Sequence, residues 1–474
     1  MQHLTGLDEM FLGMDTMTTH GNVAGICVFD GGKNDQAGRG GVKDGDRVAW
    51  LRQRVAERLP RLQALRWRLT PIGPDHYWTE VPVDLDYHVR GITLEAPGTE
   101  RQLLDRISAI MSVHLDRSKP MWRLYVIEGL EGGKYAYFFK VNHGLADGSA
   151  MWMILDQLAD SPVEKIEPTP IHVDGPVEMM TGAAQRMATM PTKMASVMGA
   201  ASKWLMTEVG EKNVQAVPSI LSALMAQRPS LMPPKTPFNG TTTPNLGLAL
   251  VDLPLADLRR AGKAAGGTIN DAILAVTAGA LRAYMKTHGG VPAEPIVSTS
   301  QVSWRTGEES ERWANQIWMM FLHLPTHIAD PVERLHAAHE SATKAKKAWE
   351  ALPGYLIRDM SALMPGLMIS PMMQMMAMMP AEMMPAMYNV SVSNVRGPSV
   401  RPHYDGNELE RYFIHGFLSP TTGLLIGGQS LGDRMVLSMT ACKDLVRDYQ
   451  QLPKLMEDAL EELLAAEHLA PMTH

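Results

Sequence analysis

YAYFFKVNHGLADG, running from Tyr135 to Gly148, is the stretch whose reading decides how the rest of this chain folds. Tyr135 to Val141 is rich in aromatic and β-branched residues, the composition of a buried strand. Trp122 to Ile127 has the same character. Glu131, Gly132 and Gly133 supply a turn between them, so the pair is expected to form an antiparallel hairpin. The strand ends in Asn142 and His143, and beyond Gly148 the residues Ala150, Met151, Met153, Ile154 and Leu158 follow an apolar helical pattern. One imidazole therefore sits where a core strand runs out, and an acid, Asp147, follows four residues later in a turn before a helix. Deprotonating a hydroxyl needs such a base, held in one tautomer by rigid surroundings. A turn histidine followed by an N-capping aspartate is the plainer structural reading.

Working outward, strand-like runs alternate with amphipathic helices in both halves, which gives an α/β class. Val23 to Phe29 reads as a strand. Val48, Leu51, Val55 and Leu59 mark one helix face, and Leu103, Leu104, Ile107, Ile110 and Met111 mark another. The glycine-rich stretch Gly31 to Asp46 lacks the strand–GxGxxG–helix context of a phosphate loop and reads as an exposed loop. In the second half, Leu246 to Leu253, Ile296 to Val302, Ile317 to Leu324, Tyr388 to Val395, Gly423 to Gly428 and Arg434 to Thr440 are strand candidates. Thr268 and Asp271 stand in capping-box relation at the start of a helix, which gives Asp271 a structural task and leaves Asn270 without one. The strand ending at Val395 delivers Asn394 and Arg396 ahead of Gly397 and Pro398. Gly428-Gln429-Ser430-Leu431-Gly432 matches GxSxG. A nucleophile elbow needs a helix next, and here a strand follows, so a hairpin turn is expected.

Composition narrows the class. At 474 residues the chain exceeds one usual core, and two domains are expected. A net charge of −7 argues against a nucleic-acid binder. With only Cys27 and Cys442 there is no disulfide framework and no cysteine metal site, which fits a reducing cytoplasm. No histidine set has zinc spacing with an acidic partner, and no metal is expected. His336 and His339 fall on a charged helix and read as a solvated face. MQHLTGLDEMF at the N-terminus lacks the basic start and long apolar run of a signal peptide. Ser361 to Ala381 is uncharged, but Pro365, Pro371 and Pro380 break it, so a spanning helix is not expected. Twelve of the 36 methionines lie between Met360 and Met387, where short helical pieces joined by bends are expected. Met187, Met190, Met194, Met198, Trp204 and Met206 recur at broadly helical spacing. Both segments read either as adaptable core or as a surface that rests on lipid.

The central stretch resembles the HHxxxDG signature of chloramphenicol-acetyltransferase and condensation-domain acyltransferases. More closely, the chain resembles the bacterial wax ester synthase/diacylglycerol acyltransferase family. The likeness runs from Leu7-Asp8-Glu9-Met10-Phe11 through Leu115-Asp116-Arg117-Ser118-Lys119-Pro120-Met121-Trp122 to Asn270-Asp271, Ser393-Asn394-Val395-Arg396-Gly397-Pro398 and Asp444-Leu445-Val446-Arg447-Asp448. It implies two chloramphenicol-acetyltransferase-like domains with mixed sheets and an active-site channel between them. We expect an N-terminal domain over residues 1–180, a methionine-rich helical linker over 181–235 and a C-terminal domain over 236–474. The implied reaction passes a fatty acyl group from acyl-CoA, a co-substrate rather than a bound cofactor, to diacylglycerol or a long-chain alcohol.

Within that reaction His143 is the expected base, and Asn270 or backbone amides the expected oxyanion donors. Asp147 is read as orienting the loop by pairing with Arg396 or Arg305, and Gly148 as allowing the turn and a close helix approach. Asn142, Gly148, Asn394 and Arg396 are the expected substrate-binding residues. The family motif usually carries two adjacent histidines. Here the first is Asn142, which can hydrogen-bond but cannot titrate. Peripheral contact at the inner membrane face or lipid droplets would bring water-insoluble acceptors to a cytoplasmic chain. A lipid-binding protein without turnover, and an acyltransferase using a carrier-protein thioester, are the rival expectations.

Overall fold

The computed structural model describes residues 1–31, 45–73, 75–210, 233–303, 315–350, 366–379, 386–395 and 400–467, with positions 42, 313, 381, 383, 397 and 398. Arg305 and Arg396, both expected near the site, lie outside the described residues. The first half opens with β1 (Gln2–His3), α1 (Gly6–Gly13), β2 (Asn22–Asp30) and α2 (Arg47–Arg58). It continues with β3 (Trp67–Ile72), β4 (Asp75–Glu80), β5 (Val89–Thr93), α3 (Glu100–Met111), β6 (Trp122–Glu128), β7 (Lys134–Asn142) and α4 (Gly148–Leu158). A long helix, α5 (Pro176–Gly210), precedes β8 (Leu246–Pro254), α6 (Leu255–Ala264) and α7 (Ile269–Thr287). Then come β9 (Ile296–Ser303), β10 (Ile317–Leu324), α8 (Pro331–Glu350), α9 (Gly366–Met378) and β11 (Val390–Val395). Last are β12 (His403–Tyr404), β13 (Asn407–His415), β14 (Leu424–Leu431), β15 (Arg434–Cys442) and α10 (Leu452–Glu467).

β7 runs through the middle of a six-stranded sheet of order β12-β13-β2-β7-β6-β5, antiparallel to both β2 and β6. The expected hairpin is present, and its turn places Gly132 and Gly133 at φ 73°, a conformation that glycine adopts at little cost. Side chains alternate across a strand, so β7 feeds two cores at once. Tyr135, Tyr137, Phe139 and Val141 enter the core beneath α2 and α4, while Ala136 and Phe138 enter a second core with Leu103, Leu104 and Ile107 of α3. Full burial of Phe138 alone is worth about 1.5–3 kcal/mol against exposure. Nothing about this strand is optional.

The second sheet has the order β10-β9-β11-β14-β15-β8, with β11 parallel to both neighbours and the remaining pairs antiparallel. Both large sheets are mixed, since β5 and β6 are parallel in the first. α7 lies under the second sheet and is buried from Asp271 to Leu281, packed by α6, α8 and α10. Gly428 to Leu431 lie on β14 and turn directly into β15, so the GxSxG match is a hairpin as expected. A small third sheet, β1-β4-β3, stands apart from these two.

The second half does not keep to its own sheet. After β11 the chain crosses to the first lobe, where β13 pairs antiparallel with β2 from Leu409↔Phe29 to His415↔Ala24, and then returns as β14. A division at residue 236 therefore describes chain order and not the lobes. Its physical reason is β2, whose second edge would otherwise present unpaired N–H and C=O groups. Phe413 of β13 and Val436 of β15 join Ile26, Phe138 and Leu250 in one core, which welds the lobes together.

Each methionine-rich segment contains a helix among its described residues. α5 starts at Pro176, before the expected linker, and continues through Pro191. α9 runs through Pro371, where a bend was expected. Met187, Met194 and Met198 on α5, and Met372, Met375 and Met378 on α9, are exposed. α5 rests on β3 and α9 on β4 and α1, so two segments distant in sequence converge on the small sheet.

Candidate active site

The loop after β7 is fixed from every side. Thr5 caps α1: the Thr5 N–H donates to Asp8 Oδ2 at 2.9 Å and the Asp8 N–H to Thr5 Oγ1 at 3.2 Å. Asp8 and Phe11, three residues apart, then share a helix face. Phe11 stacks on the His143 imidazole at 3.9 Å between ring centres, and Phe417 meets the same imidazole edge-on at 5.3 Å. Asp8 accepts a 2.6 Å hydrogen bond from Asn315 Nδ2, which also donates to the carbonyls of His143 at 2.8 Å and Gly144 at 3.3 Å. The His143 N–H donates to the Gly21 carbonyl at 2.7 Å. Gly21 itself is closely confined, since a Cβ there would lie 2.6 Å from the Phe11 carbonyl oxygen.

Asp147 caps α4 by accepting the Ala150 N–H at 2.8 Å, and its other oxygen accepts the backbone N–H of Gln316 at 3.2 Å. One carboxylate thus ties the motif turn to the second lobe. Arg117, from the Leu115–Trp122 stretch, donates to the Leu12 carbonyl at 3.0 Å and to Asp15, anchoring the far end of α1.

His143 is buried, with 7% of its surface exposed. Burial holds its pKa below the ordinary imidazole value of 6.5, opposed by the nearby Asp147 charge. The ring is therefore neutral, and able to accept a proton, at pH values where a free imidazole is half charged. Burial also pushes the Asp8 carboxyl up to about 6, against the stabilising Asn315 amide. A cavity of about 240 Å³ opens beside His143. Val23, Met151, Ile317 and Phe417 give it apolar walls, and Gln301, Asn394, His415 and Gln429 contribute polar groups. A larger cleft of about 500 Å³ lies at the Lys134 end of the first sheet. Two of its cations are paired within the protein, Arg411 with Glu100 and Asp252 and Lys134 with Glu410.

The expected residues divide accordingly. His143, Gly148 and Asn394 line the cavity together. Gly428 leaves room for Asn394, whose Oδ1 would sit 3.1 Å from a Cβ at that position. Asn142 does not line the cavity: it is fully buried, and its Oδ1 closes the turn by accepting the Gly144 N–H at 2.9 Å. Asn270 stands in the first turn of α7, half-buried and outside the cavity lining. Its neighbour Asp271 caps the helix through Thr268 and pairs with His339 at 3.1 Å, so His339 is not simply solvated. Gly148 has open space around its Cβ position and no positive φ, so neither the turn nor close helix packing requires glycine there. The crowded glycine of the motif is Gly144, where a Cβ would meet Asn142 Oδ1 and the Asp8 carbonyl, each at 3.1 Å.

Asn315 and His415 escaped the sequence reading, and Phe11 entered it only as part of a likeness. Asn315 and Phe11 carry no local signal for this place, because each meets a partner distant in the chain. His415 is fully buried and donates from Nδ1 to the Gly416 carbonyl at 2.9 Å. Burial pushes its pKa down to about 4, so it stays neutral, and its Nε2 has no partner among the described residues. Asp15, His20 and His114 also come within ligand distance of one another, a set that their spacing did not suggest. Arg117 and the Gly21 N–H already engage the Asp15 carboxylate.

This fold belongs to a class of two-lobed acyl-transfer and condensation domains. The structure matches the wax ester synthase/diacylglycerol acyltransferase from Marinobacter aquaeolei VT8 with a TM-score of 0.67 at 24% identity, over 99% of this chain and 100% of that one. It matches the first condensation domain of the calcium-dependent antibiotic synthetase with a TM-score of 0.56 at 13% identity, over 97% and 96% of the two chains. Residues 4–273 fit the model of the wax ester synthase/diacylglycerol acyltransferase catalytic domain, and residues 313–464 that of the WS/DGAT C-terminal domain. The chain belongs to the wax ester synthase/diacylglycerol acyltransferase family and is an acyltransferase. Its relatives include the O-acyltransferase WSD of Acinetobacter baylyi, 29% identical over 81% of this chain and 82% of that one. A Mycobacterium tuberculosis protein provisionally named a diacylglycerol O-acyltransferase is also 29% identical, over 98% of this chain and 90% of that one.

Asn315→Ala leaves a buried carboxylate and two carbonyls without their donor. A hydrogen bond to a charged group is worth about 1.5–3 kcal/mol, so we expect destabilisation of roughly that size and at least about a tenfold fall in kcat. Urea denaturation and steady-state kinetics check both, and an unchanged kcat would show that the loop holds His143 without this contact.

Proposed function

We propose that the chain transfers a fatty acyl group from acyl-CoA to the hydroxyl of diacylglycerol or a long-chain alcohol, with His143 as general base. The observation that carries this reading is a buried, neutral imidazole clamped by Phe11 and Phe417 at an otherwise mostly apolar cavity. As the alcohol oxygen attacks the thioester carbonyl carbon, its proton passes to the imidazole. The carbonyl oxygen becomes an oxyanion, for which the side-chain amides of Asn394 and Gln429 are better placed than Asn270. Collapse breaks the C–S bond, and the imidazolium returns its proton to the departing thiolate. No covalent enzyme intermediate is required.

The acceptors are insoluble in water, so the protein must meet a lipid surface. Among the described residues no single helix is long and apolar enough to cross a membrane. The exposed methionines of α5 and α9 offer the alternative, a flexible apolar face whose burial gains about 25 cal/mol per Å². α9 packs on α1, the helix that presents Phe11 to His143, so contact with lipid would occur close to the chemistry.

Three outcomes test this reading. His143→Ala should stay folded and lose on the order of 10²- to 10⁴-fold in thiol release from acyl-CoA with glyceride or alcohol acceptors. Near-normal turnover would sink the base assignment, and no turnover by the native chain would favour a lipid carrier. In a pH profile of kcat/KM, the acid limb should have its midpoint below 6.5, because burial lowers the His143 pKa. A midpoint at or above that value would contradict a desolvated base. Met→Ser changes at Met187, Met194, Met372 and Met375 should weaken co-sedimentation with zwitterionic liposomes, and unchanged binding would remove these helices from the lipid contact.

A further inference from the structure

Two buried acceptors beside His143 have no task in the transfer described above. His415 is the last residue of β13 and fully buried, and its Nδ1 donates to the Gly416 carbonyl at 2.9 Å. A carbonyl can only accept, so the ring proton lies on Nδ1 and Nε2 keeps its lone pair. Burial, which pushes the ring pKa down to about 4, holds it neutral. Gln301 of β9 donates from its amide nitrogen to Ser391 Oγ at 3.3 Å, which leaves its oxygen to find a donor. Both residues line the His143 cavity, and neither His415 Nε2 nor Gln301 Oε1 has a hydrogen-bond partner among the described residues. A buried acceptor without a donor is costly, so two of them beside the base mark a place where a ligand brings donors.

The chemistry of the reactants narrows the donor. The reacting hydroxyl gives its proton to His143. Thioesters and the ester groups of a glyceride present acceptors only, and an alkyl chain presents neither. A pantetheine amide has an N–H, but it brings its own carbonyl, one more acceptor among acceptors. A hydroxyl donates one hydrogen bond and accepts two, and its hydrogen rotates to suit. It can therefore donate to His415 or Gln301 while the Ser149 or Ser393 hydroxyl, in the same lining, meets its oxygen. At about 240 Å³ the cavity is smaller than the roughly 300–1,000 Å³ of a usual ligand pocket, so groups on different walls reach one small headgroup.

We infer that the acceptor favoured by this site is an alcohol with a second hydroxyl beside the reacting one, as in a glycerol unit carrying a single acyl chain, and that His415 and Gln301 select it. The first hydroxyl meets His143, and the second donates to His415 Nε2 or Gln301 Oε1. This rests on the reading of His143 as the base of an acyl transfer and names the class of acceptor within it. Diacylglycerol and a simple long-chain alcohol have one hydroxyl each and leave both acceptors unpaired. A site built to bond a hydroxyl discriminates strongly against the analogue that lacks it, because its own polar group is then left without a partner.

The test compares 1,2-octanediol with 1-octanol as acceptors for one acyl-CoA. In His415→Leu and Gln301→Leu, each checked for folding by circular dichroism, the ratio of kcat/KM for the diol to that for the alcohol should fall about tenfold or more. His415→Gln, which keeps an acceptor at that wall, should hold the ratio nearer its native value. A fall in either leucine variant supports the inference, and a ratio unchanged in both overturns it. A raised KM for acyl-CoA with the ratio preserved also overturns it, because the acceptors would then serve the pantetheine arm. Calorimetric binding of 1,2-octanediol and its isomer 1,8-octanediol needs no turnover, so it separates failure of this site from failure of the transferase reading. The native protein should bind the 1,2-isomer more tightly, and His415→Leu should lose the difference. No difference in the native protein, or one that persists in the variant, refutes the site. Selective binding of the 1,2-isomer by a native protein that acylates no alcohol would defeat the transferase reading and leave the site standing.

Discussion

The side-chain amide of Asn315 is the contact on which the site depends. A strand end is a poor place to fix an imidazole, because the chain there leaves the sheet and its carbonyls lose their ladder partners. Asn315 donates to the His143 and Gly144 carbonyls and, from the same nitrogen, to the buried Asp8 carboxylate. Asp8 in turn fixes α1 and so the Phe11 ring that covers His143. One amide from the second lobe thereby joins the catalytic loop, its aromatic cover and the N-terminal helix. Asp147 repeats the connection through the next residue, Gln316. The lobes are held together beside His143, and the β13 strand crossing fixes them again along the sheet.

Such an arrangement suits an imidazole proposed as base whose Nδ1 has no hydrogen-bond partner among the described residues. Burial between Phe11 and Phe417 removes water and lowers the imidazole pKa, which keeps the base unprotonated but weakens it as a proton acceptor. The Asp147 charge offsets part of that cost while the carboxylate also caps α4 and accepts the Gln316 N–H. The second neutral imidazole, His415, adds an acceptor to the same cavity without adding charge. Asn142 in place of the usual first histidine closes the turn from within, a task that needs a hydrogen-bond acceptor and no titration.

Much of this was legible in the sequence where the signal is local. The period of Tyr135 to Val141, the glycine turn before it, the caps at Asp147 and Thr268 and the hairpin at Gly428 all depend on neighbours within a few residues. The lobes themselves were less legible, because β13 looks like any half-buried strand and nothing in its composition says that its partner is β2. The site residues that escaped are of the same kind. Asn315 lies 172 residues from His143 and 307 from Asp8, and a lone asparagine before a strand carries no period. The site role of Asn270 came from resemblance, and Arg396 was placed at the end of the strand to Val395; the first stands outside the cavity lining and the second outside the described residues. Methionine density at α5 and α9 left adaptable core and lipid-facing surface both open, and the exposure of Met187, Met194, Met198, Met372, Met375 and Met378 puts these side chains at the surface.

The central claim is that the acceptor hydroxyl and the thioester meet at His143. A crystal structure of the protein with a non-hydrolysable acyl-CoA analogue and a long-chain alcohol measures this directly. The expected result places the alcohol oxygen within about 3 Å of the His143 imidazole, with the acyl carbonyl beside it in the cavity bounded by Phe417 and Asn394. A ternary complex whose hydroxyl and carbonyl lie away from His143, with that cavity filled by protein or water, would contradict it.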